Sequence, residues 1–211
     1  MNADPAPAAS DGPGARARRV LTLAWVPLVA SLVSLVLSIG SIVIATRDPA
    51  VVVLIPDQIR FVQGEGLGLA YAYFQPTFVS TGNNDRVEVI REMRLIVTPL
   101  DGGEPAQFAW DEVGAFDFAT DDDSLDYRYV GDAVPLLVTP DSAENPLALF
   151  EGPDGWLLEA GRHRIELVAD RVVAADPLRA TFEIELSDED IAFLADADGT
   201  QFLAIPIADD R

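Results

Sequence analysis

Between Val20 and Thr46 the chain carries no charged residue and is strongly apolar, with Arg16, Arg18 and Arg19 before the segment and Arg47 after it. As a helix at about 1.5 Å rise per residue it reaches roughly 40 Å, more than the roughly 30 Å hydrocarbon core of a bilayer. The segment therefore predicts a single transmembrane helix over residues 20–46. It is too long for the apolar region of a secretory signal peptide, about 7–15 residues. Bulky aliphatics stand where a small-x-small cleavage site belongs, in Ser41-Ile42-Val43-Ile44-Ala45-Thr46, so the expectation is an uncleaved signal-anchor. The arginine bias places the N-terminus in the cytoplasm and the C-terminal part outside it, in a cell membrane. Residues 1–19 open with an Ala-, Pro-, Gly- and Asp-rich stretch lacking bulky apolar side chains and are expected to form a disordered cytoplasmic tail.

Within the expected span, Ser31, Ser34, Ser38 and Ser41 recur three and four residues apart, and Ala24 and Ala45 continue the register. Small residues along one stripe let two helices approach closely in lipid, so the stripe suggests a homo-oligomer or a partner helix. Serines in a helix also bond back to their own carbonyls, which is the alternative.

The remainder, residues 47–211, is expected to be one extracytoplasmic domain. Beyond Arg47 it holds 33 acidic residues against 10 arginines, a formal charge of −23. Such a domain repels a phosphate backbone, which excludes nucleic-acid binding and adhesion to anionic lipid. Lysine and cysteine are absent, so no disulfide, thiolate metal site or thiol nucleophile exists.

From Val51 onward the dominant pattern is period-two alternation punctuated by Gly, Pro, Asn and Asp, which predicts an all-β domain. Strands are expected at Val51–Ile55, Leu67–Ser80, Val87–Thr98, Gln107–Trp110, Asp126–Val130, Pro135–Val138, Arg162–Asp170, Arg179–Leu186 and Phe202–Ile207. Leu67–Ser80 and Val87–Thr98 read as a hairpin through Thr81-Gly82-Asn83-Asn84-Asp85, with Val87, Val89, Met93, Leu95 and Val97 inward and Glu88, Glu92 and Arg94 outward. His163, Ile165, Leu167 and Ala169 are expected to point inward from their strand, and Phe182, Ile184 and Leu186 from the next. A short helix is expected after Leu186, with Ser187 as N-cap, Asp190 at the third position and Leu186 stapled to Ile191.

One-sided burial and regular turns argue for an antiparallel β-sandwich. Gly161-Arg162-His163-Arg164-Ile165-Glu166-Leu167 resembles the penultimate strand of immunoglobulin-like and fibronectin-type sandwiches. The likeness covers about the last 50 residues. It implies that His163 occupies the place of the corner tyrosine in those folds, and it implies no particular function.

His163 is the sole histidine, and its inward place suggests a corner hydrogen bond in preference to catalysis or zinc binding. No Gly-x-Ser-x-Gly elbow occurs, and no cofactor is expected. The best candidates for chemistry are acidic loops able to supply oxygen ligands to Ca²⁺: Asp121, Asp122, Asp123 and Asp126, then Asp196-Ala197-Asp198-Gly199. The second departs from a calcium loop, because Leu194 and Ile205 fall where oxygen ligands are needed. Trp110, Trp156, Tyr71 and Tyr73 suit core packing more than a binding surface. The function expected from these features is that of a non-catalytic protein-interaction or accessory module held on a membrane. Its alternative is a ligand- or Ca²⁺-binding envelope domain.

Overall fold

The computed structural model describes residues 13–45, 50–64, 68–81, 87–118, 125–196 and 201–207, with helical side chains before Thr46 described at Trp25 and residues 27–42. The chain divides into two compact units at Arg47/Asp48.

The first unit holds helix α1, Pro13–Ala45. It begins seven residues earlier than the apolar pattern predicts, at a proline whose missing N–H would have had no intrahelical partner in the first turn anyway. Residues 13–19, expected to be disordered, are therefore helical. Pro27 lies inside the helix. Among the described residues no helix is long and apolar enough to cross a membrane. The fully described stretch, residues 27–42, is shorter than the approximately 20 residues a span requires.

Among the described residues the second unit holds twelve strands and one helix: β1 Val51–Leu54, β2 Gln58–Gly64, β3 Leu69–Phe74, β4 Thr77–Ser80, β5 Glu88–Pro99, β6 Ala106–Phe118, β7 Leu125–Asp132, β8 Leu136–Val138, β9 Leu147–Glu151, β10 Gly161–Arg171, β11 Leu178–Leu186, α2 Asp188–Asp196 and β12 Leu203–Pro206. Every strand pairing is antiparallel. A large sheet runs β11-β10-β5-β6-β9-β3-β2-β12, with β7 added to β6 and β8 to β5, and β1 and β4 form a separate pair. The terminal strands β11 and β12 approach each other, and β1 lies beside β11, so the sheet curls around its core in a sandwich- or barrel-like arrangement.

Period two decides which core each residue enters. In β3, Ala70, Ala72 and Phe74 enter the main core, while Tyr71 and Tyr73 join a smaller aromatic cluster on the opposite face. In β9, Ala148 and Phe150 take the first side, and Leu147 and Leu149 the second. The smaller cluster is completed by Val62, Phe116, Tyr127 and Phe202, with the Arg60 guanidinium 4.8 Å from the Phe116 ring centre. Strands β10 and β11 bury His163, Ile165, Leu167 and Ala169, and Phe182, Ile184 and Leu186, as the alternation predicts. Helix α2 starts with the expected capping box. The Asp190 N–H donates to Ser187 Oγ (3.2 Å) and the Ser187 N–H to Asp190 Oδ2 (2.8 Å). The Ser187 hydroxyl, which donates to Asp190 Oδ2 at 2.7 Å, and then the Ser187 N–H hold Asp190 below the usual carboxylate range.

The expected hairpin between Leu67–Ser80 and Val87–Thr98 is not formed. Strand β3 ends before Gln75-Pro76, β4 pairs with β1, and β5 lies between β10 on one edge and β6 and β8 on the other. Proline cannot donate to a ladder, so the continuous segment breaks at Pro76 and its two halves find different partners. Glu88 does not point outward. The β5–β10 ladder shifts register beside Arg91, and this bulge reverses the parity of the first part of β5, turning Glu88 and Ile90 inward and Val87 out. Strands β2 and β9 are additional to those expected. β6 runs for thirteen residues, with register irregularities near Asp111 and at Val113/Gly114.

Candidate ligand cavity

A cavity of about 390 Å³ opens where the β5–β6 turn meets the β9–β10 connection. Pro99, Gly103 and Glu104 line it from the turn, Gly155, Trp156, Leu157 and Glu159 from the connection, and His163 from β10. The connection is pinned from below: the Leu158 N–H donates to the buried Gln63 Oε1 at 2.7 Å, and the Gly155 N–H to the Gly68 carbonyl at 2.7 Å. Trp156 stands edge-on to Phe108, ring centres 5.3 Å apart, so one side of the indole is fixed by the main core.

The start of β10 is held to the β5–β6 turn by two bonds. Leu100 N–H donates to the Arg162 carbonyl (2.8 Å), and Arg162 N–H to Asp101 Oδ2 (3.1 Å). Gly161 makes that approach possible. Its φ is 127°, in the region that L side chains avoid, and a Cβ there would lie 3.0 Å from Asp101 Oδ2.

His163 is 1% exposed. Its Nδ1 lies 3.2 Å from the Gly161 carbonyl oxygen, so the expected corner bond is present and is made to the residue two before. A carbonyl can only accept, hence Nδ1 carries the proton and Nε2 is left as an acceptor. Nε2 is buried and has no partner among the described residues. Burial holds the imidazole below its ordinary value of 6.5, against the opposing pull of the Gly161 carbonyl, Asp101 and Glu159, so the ring is neutral at pH 7.

The sign of the pH dependence follows. Below about pH 6.5 the unfolded chain protonates its only histidine while the folded ring resists, so this group lowers stability as pH falls. The difference in unfolding free energy between the wild type and His163→Gln should narrow from pH 7.5 to 5.5 in urea titrations. A difference independent of pH would contradict this account of the ring.

Asp121, Asp122 and Asp123 lie outside the described residues, as do residues 197–200. Asp126 is exposed in β7 and stands opposite Asp117 in the β6–β7 ladder. Among the described residues no group of three His, Asp or Glu side chains is placed to hold a metal ion. Ser31, Ser34, Ser38 and Ser41 all lie on exposed helix, and Ser38 Oγ donates to the Ser34 carbonyl and Ser41 Oγ to the Leu37 carbonyl, each at 2.8 Å. Those two hydroxyls thus make the local bonds that helical serines commonly make. Trp110 is 8% exposed, with Nε1 donating to the Glu112 carbonyl, while Tyr71 and Tyr73 belong to the smaller cluster, which is the packing role expected of them.

Sequence reasoning missed Glu104, Glu159 and Glu88. The first two come from separate connections with no shared motif. Against known protein families, curated proteins and solved structures, the chain finds no match.

Proposed function

We propose that this chain is a single-pass membrane protein, N-terminus in the cytoplasm, displaying an acidic immunoglobulin-like β-sandwich outside it as a non-catalytic protein-interaction or accessory module. The observation that carries the anchor is the surface of α1. Leu28, Val29, Leu32, Val33, Leu35, Val36, Leu37, Ile39 and Ile42 are all more than half exposed. At 3.6 residues per turn they cover about 220° of the circumference, far wider than the roughly 100° stripe of a helix lying on a protein core. The serine stripe occupies most of the remaining arc, and no charge interrupts residues 20–46. The arginine cluster Arg16, Arg18 and Arg19 supports the orientation.

The immunoglobulin-like reading is supported by the β10–β11 hairpin and the bonded corner at Gly161 and His163. An interaction role is supported by Tyr129 and Val130 in β7, Val134 in the β7–β8 connection and Leu137 in β8, four of the large apolar or aromatic side chains that this acidic domain leaves exposed. A protein partner suits these side chains better than a lipid surface, because the domain's charge repels anionic headgroups.

Two arginines at the helix centre test the anchor. Each costs about 2.5–3.5 kcal/mol on the insertion scale. Leu32→Arg with Leu35→Arg should reduce the fraction of chain resisting alkaline carbonate extraction by tenfold or more. A wild-type chain that washes off the membrane as readily as the double variant would refute the proposal.

A further inference from the structure

We infer that the cavity over His163 is a binding site for a small organic cation, an aliphatic ammonium or guanidinium compound, independently of whether the domain is membrane-anchored. Three features converge on this chemistry. Glu104 and Glu159 line the cavity from different connections, and among the described residues no cationic one lines it with them. This pair selects for positive charge and against anions. His163 lines the cavity, and its Nε2 lone pair, buried without a partner among the described residues, is an acceptor for a ligand N–H. Trp156, Leu157 and Pro99 supply apolar and aromatic surface for an alkyl stem, and an indole face adds attraction for a cation.

The same geometry argues against a metal ion. His163, Glu104 and Glu159 are all described residues, yet they do not form a group close enough to hold one ion. Spread over about 390 Å³, they address separate atoms of a larger ligand, and this volume lies in the range of small-molecule sites. The walls are also preset: Gln63 fixes the connection from beneath, and Asp101 holds the turn against β10. Little ordering therefore remains to oppose binding.

Because the chain has one histidine, ¹⁵N-histidine labelling gives a single imidazole to observe. The full chain in uncharged detergent micelles is titrated with 1,4-diaminobutane, with the neutral polyol myo-inositol and with succinate as comparison probes. The expected result is a saturating shift of Nε2 with the diamine alone. Glu104→Gln combined with Glu159→Gln should raise the Kd at least tenfold, while Glu92→Gln, an exposed carboxylate on β5, should leave it unchanged. The Nδ1–H signal of the ligand-free double variant reports that the corner is still folded. A shift that does not saturate, saturation by inositol or succinate, or equal binding by the double variant would each overturn the inference. The last of these would show the diamine to be a general counterion of an acidic surface.

Discussion

Replacing Glu88 by alanine is expected to cost about 3–5 kcal/mol of unfolding free energy, the range for removing one member of a buried charged pair. Glu88 is completely buried. Its Oε1 accepts from the Val89 N–H and the Val173 N–H, both at 3.0 Å, and its Oε2 lies 3.8 Å from Arg171 Nη1. Val89 also accepts from Val172, so the carboxylate ties the β10–β11 turn to the start of β5 at the place where the ladder slips. Alanine leaves two N–H groups without their acceptor and removes the carboxylate beside the largely buried Arg171 guanidinium, whose Nε still donates to the Asp176 carbonyl at 2.7 Å. Glu88→Gln keeps an oxygen for both N–H groups and loses only the charge, so its cost should be clearly smaller. Equal losses in the two variants, measured by urea unfolding of the full chain in micelles, would show that the backbone bonds contribute little.

Phe108→Ala should be comparably damaging, by about 3–5 kcal/mol, because a fully enclosed ring is lost at the centre of the sheet. Phe108 is 0% exposed, sits opposite Leu95 across the β5–β6 ladder, and meets Trp156 edge-on. The fit around it is close. A Cβ built on Gly152 would come within 2.9 Å of both the Phe108 ring and the Ala70 carbonyl, which leaves those neighbours little room to collapse into the void. The same truncation removes the support of Trp156, so cavity binding should weaken along with stability. Tyr129→Ala, at an exposed position of β7, serves as the contrast and should change stability by no more than about 0.5 kcal/mol.

Where one face of a strand is wet, the alternation exposes the structure. His163, Ile165 and Leu167 lie inward in β10 because Arg162, Arg164 and Glu166 mark the other face, and the Ser187–Asp190 capping box is equally legible. Strand β9 is not legible, because Leu147, Ala148, Leu149 and Phe150 are buried on both faces and carry no period. The partner of β5 is likewise a long-range choice, set by the break at Pro76 and by the curl that brings β10 alongside. Glu88 shows the limit most sharply. A bulge inserts one residue into the count and sends a glutamate into the core, and nothing in the local alternation signals it. At the cavity, parity reveals the orientation of His163, but Glu104 and Glu159 meet it only through the fold, from connections more than fifty residues apart.

The most direct test of the account is protease access in sealed cells expressing the full chain with a tag at each end, their outer wall removed. The account predicts that added protease destroys the acidic β domain and its C-terminal tag while a fragment bearing the N-terminal tag and α1 survives in the membrane. Survival of the C-terminal domain in intact cells, with digestion only after lysis, would contradict it.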